Sequence, residues 1–113
     1  MEEEFSRKPY VVSRQFNASR EHIYEYSLDT FGYFQAERYK QKIRNSLDTL
    51  PDYYTAYPEC RFLATKSRKY RNIILDAHLI IYRITNERIE VLDILHAASS
   101  IREIRRTRKI TLR

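Results

Sequence analysis

Residues 70–96 read YRNIIL, DA, HLIIYRI, TNER and IEVLDILH, and this stretch decides the fold. It contains three runs of six to eight residues that are rich in isoleucine, valine and tyrosine, and the polar breaks between them hold Asp76 and Asn86. β-Branched and aromatic runs separated by turn-forming residues are typical of strands rather than helices. We therefore predict three antiparallel strands that form a meander.

The middle run, residues 78–84, is apolar on both alternations of a strand: Leu79 and Ile81 on one, and Ile80, Tyr82 and Ile84 on the other. A strand with this pattern is buried on both of its faces. The rest of the chain offers two helices before the sheet and a basic tail after it as the cover.

Residues 9–16, ahead of the meander, alternate as a strand does, and we expect this strand to join the sheet. Asn17 and Ser19 are both good helix N-caps, so a first helix should begin there and run to about Thr30. Gly32, the only glycine, is predicted to end that helix as its C-terminal cap.

A second helix is predicted from apolar residues that recur every three or four positions: Ala36, Tyr39, Ile43, Leu47 and Leu50. Pro51 should end it. Two helices joined around Gly32 must form an antiparallel hairpin, which would cover one face of the sheet. The sequence thus predicts a small α+β fold, with residues 1–113 as a single domain containing one antiparallel sheet and a helix hairpin on one face.

The remaining segments have weaker patterns. Residues 52–69 lack a period, and we expect a loop there with a short strand at residues 61–64. After His96, the serines at positions 99 and 100 are suited to cap a final helix that begins at Ile101.

The composition excludes several classes of site. A chain with one glycine cannot build the glycine-rich loop that holds a nucleotide phosphate. The single cysteine, Cys60, excludes an internal disulfide and a CxxC metal site, and it favours a reducing compartment. The histidines, His22, His78 and His96, lack the spacing of metal ligands. We expect neither a cofactor nor a metal.

The sequence also predicts a cytoplasmic location. It starts with MEEE, which is acidic where a secretory signal is basic. No run approaches the ~20 apolar residues that a membrane helix needs, so we expect no membrane partner.

Positive charge is concentrated in two segments of the chain. The protein has 21 lysines and arginines against 15 acidic residues; residues 61–71 hold five cations and no acid, and residues 101–113 hold six cations against Glu103. Such clustering favours an anionic partner, either nucleic acid or an acidic protein segment. The alternative is a surface whose charges are simply solvated.

One set of basic residues and histidines could support RNA cleavage by general acid and base chemistry, with cations that stabilise the phosphate: Lys66, Lys69, Arg71, His78, Arg83 and His96. A structural interpretation is favoured on spacing alone. In that case His96 ends a strand and bonds locally, and Arg83 pairs with Glu90 across the sheet.

Several segments together resemble a known family: YEYSLDTFGYFQAERY at residues 24–39, LDTLP at residues 47–51, HLIIYRI at residues 78–84 and VLDILH at residues 91–96. Over residues 10–97 the chain resembles the RelE/ParE superfamily of toxins from bacterial type II toxin–antitoxin pairs, and in particular its ParE branch. The resemblance implies a toxin domain in which residues 98–113 form a basic C-terminal helix or tail.

The branches of this superfamily act differently. RelE-like members are ribosome-dependent endoribonucleases that cleave mRNA, whereas ParE-like members are taken to act on DNA gyrase. Endoribonucleases commonly have an arginine where Leu79 stands here, and a His-Arg pair where His96 and Ala97 stand. The resemblance therefore implies a gyrase inhibitor that arrests growth rather than an enzyme. An endoribonuclease and a catalytically inert binding module of the same fold stay open as alternatives.

The resemblance also implies partners and sites. A cognate antitoxin should wrap the sheet and the helix hairpin with an acidic amphipathic segment. No catalytic residues are assigned to a gyrase inhibitor; an endoribonuclease would use Lys69, Arg71, Arg83 and His96. Contacts to the antitoxin or to the target are expected at the following positions: Arg71, His78, Arg83, His96, Arg102, Arg105 and Arg106.

The basic tail carries a prediction that does not depend on the resemblance. In a helix its cations share one face: Arg102, Arg105, Arg106 and Lys109. Ile101 and Ile104 would anchor that helix to the sheet. Like charges on one face repel, so we expect the stripe to contact the antitoxin or the target. Deletion of residues 107–113 should then hardly affect folding.

Overall fold

The computed structural model describes residues 6–112, so the acidic N-terminal residues and Arg113 lie outside it. Its elements are β1 (Tyr10–Val12), α1 (Arg14–Phe31), α2 (Tyr33–Tyr53), a 3-10 helix (Arg61–Leu63), β2 (Tyr70–Ile74), β3 (His78–Ile84), β4 (Ile89–His96), α3 (Ile101–Arg106) and a second 3-10 helix (Thr107–Lys109). The predicted α+β class is confirmed, and so is the meander. No helix in the described part is long and apolar enough to cross a membrane.

The four strands form one mixed sheet in the order β1-β4-β3-β2. β2, β3 and β4 pair antiparallel, but β1 runs parallel to β4, with Tyr10 opposite Ile89 and Val12 opposite Val91. The prediction of a purely antiparallel sheet was therefore wrong. The chain leaves β1 through both helices and returns through the meander, which is a connection long enough for a parallel pair.

The first strand is shorter than predicted, and the first helix begins earlier. Ser13 is the N-cap: its hydroxyl accepts a hydrogen bond from the Phe16 amide at 2.8 Å and donates one to the Leu92 carbonyl at 2.5 Å. Residues 9–16 are therefore not one strand, and neither Asn17 nor Ser19 is the cap. Phe16 is completely buried in the first turn of α1, so its apolar character reflects helix packing rather than strand alternation.

Gly32 ends α1 as predicted, with its amide donating to the Leu28 carbonyl at 3.1 Å. Its φ of +92° lies in a region that side chains other than glycine rarely adopt. α2 starts at the next residue, so the hairpin has no loop. The prediction that Pro51 ends α2 was wrong, since the helix continues to Tyr53. A proline so near the helix end removes few hydrogen bonds, and Tyr54 directly after the helix is buried in the core.

Both faces of the sheet are covered, as the pattern of β3 predicted. Ile80 and Tyr82 pack against α1 and α2, while Ile81 faces a second cluster that contains Leu63 and Ile104. The helix hairpin thus lies on one face, and α3 with the first 3-10 helix lies on the other.

The segment between α2 and β2 holds a 3-10 helix where a short strand at residues 61–64 was predicted, and that prediction was wrong. The backbone that pairs with β2 lies just before the 3-10 helix instead. The Cys60 amide donates to the Tyr70 carbonyl at 2.8 Å, and the Asn72 amide donates to the Pro58 carbonyl at 3.0 Å. Leu63 is buried at the end of the 3-10 helix, and this contact requires a compact turn rather than an extended chain.

The final helix begins at Ile101, as predicted, with Ser100 and Glu103 forming a capping box. Of the two predicted anchors, Ile104 is buried while Ile101 is 46% exposed. Beyond the helix, Thr107 is buried and Ile110 and Leu112 pack against the second cluster. The packing of Thr107, Ile110 and Leu112 argues against the expectation that deletion of residues 107–113 hardly affects folding.

Candidate interaction site

The residues predicted to cleave RNA lie at two opposite ends of the sheet. His78 pairs with His96 at the start of β3, whereas Arg83 pairs with Tyr70 and Glu90 near its end. Five residues of a strand span about 17 Å. The fold therefore brings His78 and His96 together but does not bring either of them to Arg83.

At the histidine end, three rings form a connected group. The Tyr39 hydroxyl lies 2.6 Å from Nδ1 of His78, and the rings of His78 and His96 are 5.5 Å apart between centroids. Nδ1 of His96 accepts a hydrogen bond from the Ala98 amide at 3.0 Å. In this bond the neutral His96 ring carries its proton on Nε2, which points away from the Ala98 amide.

The surroundings of His78 and Tyr39 favour the uncharged form of each side chain. Burial, together with the neighbouring His96, lowers the pKa of His78 below its ordinary value. Burial and the charge of Asp76 raise the pKa of Tyr39. At neutral pH the tyrosine therefore keeps its proton and the His78 ring is neutral, so Tyr39 can donate to Nδ1.

These rings lie at the floor of a cleft of about 770 Å³ between the helix hairpin and the end of the sheet. Tyr26 and Phe31 line one wall, and Arg38 lies along the rim. Lys42, also in the lining, pairs with Asp76 at 2.9 Å. The cleft is thus aromatic on its wall and carries cations at its edge.

The end of the hairpin next to this cleft exposes four aromatic side chains, which we call the aromatic tip: Tyr26, Phe31, Tyr33 and Phe34. They are 55 to 82% exposed, and they stack edge-to-face in two pairs. The sequence analysis did not identify this tip. The available signal was the crowding of aromatic residues around the single glycine, where the helices turn away from the sheet.

Arg71 is committed to backbone carbonyls within the fold. Its guanidinium donates to Thr55 at 2.8 Å and to Tyr57 and Arg68 at 2.9 Å. These bonds fasten β2 to the segment that follows α2. Arg71 therefore has a structural role that the sequence did not indicate.

Arg83 is also held in place, and the interpretation that it pairs with Glu90 is confirmed. The two side chains meet at 2.7 Å, and Arg88 approaches the same carboxylate at 2.9 Å. Burial alone would raise the pKa of Glu90, but the two guanidinium groups hold that pKa below its usual value. Arg83 further donates to the carbonyl of Ile110 at 3.0 Å, which ties the tail to the sheet.

The other predicted cations are exposed to solvent on the face opposite the hairpin. α3 packs against the first 3-10 helix, so the basic tail lies beside the basic segment that precedes β2. We call the exposed cations of these two segments the basic face, leaving out Arg68 because it pairs with Glu59: Arg61, Lys66, Lys69, Arg102, Arg105, Arg106, Arg108 and Lys109. Within residues 6–112 there is no group of three side chains that could hold a metal ion.

The sequence profile of the family described as "ParE toxin of type II toxin-antitoxin system, parDE" matches residues 10–101. The chain belongs to the ParE toxin family. This confirms the resemblance seen over residues 10–97, and it makes the chain the toxin component of a type II pair whose partner is an antitoxin protein.

A solved structure supports the fold of this ParE family member. The chain is similar to a chain of the structure titled "Chromosomal ParDE TA system from P. aeruginosa", with a TM-score of 0.67 and 16% sequence identity. The similarity covers 80% of this chain and 96% of that one. No curated protein sequence matches the chain.

Proposed function

We propose that this ParE family toxin acts in the cytoplasm on DNA gyrase and arrests growth, and that an acidic segment of its cognate antitoxin neutralises it. The proposal assigns no catalytic residues. The toxin would act by binding its target.

The separation of the ribonuclease candidates is the observation that carries this proposal. RNA cleavage needs a cation and a proton-transfer group around one phosphate. Arg71 and Arg83 are occupied within the fold, and His96 lies about 17 Å from Arg83 along the sheet. Leu79, which stands at a position where endoribonucleases commonly have an arginine, adds no charge. This arrangement favours a binding toxin over a nuclease.

The cleft and the aromatic tip are suited to the antitoxin. Exposed aromatic side chains next to a concave surface are typical of the centre of a protein interface. Arg38 and Lys42 at the rim would attract acidic residues of a partner helix, and His78 and His96 would meet its side chains at the floor of the cleft.

Purified gyrase tests the target. Relaxed plasmid is incubated with gyrase, ATP and increasing amounts of the toxin, with and without the cognate antitoxin. We expect supercoiling to be lost with the toxin alone and restored by the antitoxin. A translation mixture run in parallel measures cleavage of ribosome-bound mRNA. If supercoiling is unaffected while mRNA is cut, the toxin is an endoribonuclease and the proposal is wrong.

The antitoxin contact is tested by substitutions in exposed side chains. Phe34→Ser removes the most exposed ring of the aromatic tip. Tyr53→Ser removes another exposed ring, at the other end of α2. We expect the first change to weaken antitoxin binding at least tenfold, as is usual for a central aromatic contact, and the second to leave it unchanged. Equal affinities for the two variants would place the antitoxin elsewhere on the surface.

A further inference from the structure

The net positive charge of this protein comes from two segments that lie on one side of the fold. Residues 59–69 and 101–112 together contain nine lysines and arginines against two glutamates, while the rest of the chain contains twelve against thirteen acidic residues. The net charge of +6 therefore arises entirely from these two segments. Elsewhere in the chain the acidic residues balance the cations.

Tertiary packing joins the two segments into one surface. Ile104 of α3 belongs to the same buried cluster as Cys60 and Leu63, which flank and end the first 3-10 helix. Lys69 lies over the ring of Tyr70, 5.6 Å from its centroid, and Tyr70 is buried in that cluster too. The two basic segments, more than 30 residues apart in sequence, thus become neighbours.

The glutamates near this surface already have partners. Glu59 pairs with Arg68 at 3.6 Å and accepts from the Thr65 amide. Glu103 is used in the capping box of α3, and Glu90 is held by two arginines. Within the described residues, no acidic side chain forms an ion pair with a cation of the basic face.

The helix dipole accounts for only part of this pattern. Arg105 and Arg106 lie in the last turn of α3, where cations are favoured near the carbonyl end. Arg102 lies in the first turn, where a cation is unfavourable, and Lys66 and Lys69 are outside helices. The helix dipole therefore does not account for the cations at these three positions.

The chemistry of the basic face distinguishes between anions. A protein partner would need an apolar centre, and the only large hydrophobic side chain exposed on α3 is Ile101. Single-stranded nucleic acid would need exposed aromatic rings for stacking, and within residues 6–112 such rings lie on α1 and α2. Phe62 is partly buried, with Arg61 over its ring. A surface of cations without an apolar or stacking centre is suited to the phosphates of a double helix.

We propose that the basic face binds the backbone of double-stranded DNA without regard to sequence. The choice of DNA over duplex RNA rests on the proposed function, because the target gyrase works on DNA. In this arrangement the toxin holds DNA through α3 and the segment before β2, and its aromatic tip and cleft on the hairpin side stay available to a protein.

The length of the charged stripe sets the expected affinity for DNA and its dependence on salt. From Arg102 to Lys109 the helical tail is about 11 Å long, and duplex DNA carries one charge per about 1.7 Å of its axis, so the stripe faces several phosphates. Neutralising about four of them gives a slope of log affinity against log salt near −3.6. Affinity should then fall about 150-fold between 50 and 200 mM salt, with a Kd in the range of about 10⁻⁶ to 10⁻⁴ M at physiological salt.

The test measures fluorescence anisotropy of a labelled DNA duplex of about 20 base pairs against the full-length toxin at several salt concentrations. The test variant replaces three cations of α3 (Arg102→Gln, Arg105→Gln and Arg106→Gln). The control makes the same change in net charge on the hairpin (Arg14→Gln, Lys40→Gln and Arg44→Gln), where all three side chains are exposed. Thermal melting checks that both variants fold.

We expect the α3 variant to lose at least tenfold in affinity and to have a slope shallower by about 2.7, while the control stays close to the parent protein. A second variant, Lys66→Gln with Lys69→Gln, should also weaken binding, since both segments form the surface. The proposal is overturned if the two triple variants lose affinity equally, because binding would then follow net charge alone. It is also overturned if single-stranded DNA, duplex RNA or polyglutamate binds more tightly than the DNA duplex.

This experiment contains no gyrase, so its failure is separate from that of the proposed function. A toxin that stops supercoiling but does not bind duplex DNA would contradict only the inference about the basic face. A toxin that binds the duplex through α3 but leaves gyrase unaffected would contradict only the proposed target.

Discussion

The docking of α3 on the sheet can be tested with two isoleucines that lie three residues apart on this helix. Ile104 is 3% exposed and packs in the cluster that contains Leu63 and Leu92, whereas Ile101 is 46% exposed. Truncating a buried isoleucine to alanine typically costs 2–5 kcal/mol, through lost burial and the cavity that is left. Both changes gain the same few tenths of a kcal/mol in helix propensity. We expect a loss of about 3 kcal/mol for Ile104→Ala and less than about 1 kcal/mol for Ile101→Ala.

Urea unfolding followed by circular dichroism measures this difference. For a domain of this size the denaturant slope is about 1.5 kcal/mol per molar urea, so Ile104→Ala should lower the midpoint by about 2 M. The melting temperature should fall by about 12 °C. The Ile101→Ala variant serves as the matched control because it has the same residue, the same helix and the same loss of atoms.

Equal stability losses for the two variants would refute this account of α3. The helix would then not be anchored through Ile104, and the two basic segments would no longer be held side by side. A larger loss for Ile101→Ala would mean that the helix is rotated so that Ile101 rather than Ile104 faces the sheet.

Three further predictions follow from particular contacts. Deleting residues 107–113 removes the buried hydroxyl and methyl of Thr107 and two side chains of the second cluster, so we expect a loss of about 3 kcal/mol in urea unfolding; an unchanged midpoint would contradict the packing of the tail. Arg83→Gln leaves Glu90 buried with one arginine instead of two, and it should cost about 2 kcal/mol, below the 3–5 kcal/mol for a wholly broken buried pair, as measured by thermal melting. The lowered pKa of His78, in contact with Tyr39 and His96 and near Asp76, means that the unfolded chain takes up the proton first as the pH falls. Its stabilising contribution is therefore present above pH 6.5 and is lost as the pH falls from there toward the folded pKa. His78→Asn should flatten this part of the stability profile, measured by urea unfolding at several pH values, and an unchanged profile would contradict the role of His78.

Local sequence patterns predicted the elements that depend on contacts between near neighbours in sequence, and the strands that are buried on both faces. The runs of residues 70–96 became β2, β3 and β4 because a strand that is buried on both faces needs apolar residues on both alternations. Gly32 was predictable as a cap because few other residues adopt its backbone angles. The start of α3 followed from the Ser100 and Glu103 capping box, which depends on residues three positions apart.

Contacts between residues far apart in sequence overrode other local signals. Ser13 became the N-cap in place of Asn17 or Ser19 because its hydroxyl also reaches the Leu92 carbonyl, and β4 lies far away in sequence. The direction of β1 relative to β4 depends on the path of the whole chain, which no short window contains.

The candidate sites divide in the same way. The sequence by itself determined the family resemblance and the excess of positive charge, because both are properties of residue order and composition. Only the tertiary structure decided which residues meet. Arg71 and Arg83 form hydrogen bonds and ion pairs within the fold, and His78 contacts Tyr39 and His96. α3 packs against the first 3-10 helix. The physical reason is that side chains distant in sequence come within bonding distance only when burial of the two apolar clusters fixes the elements that carry them.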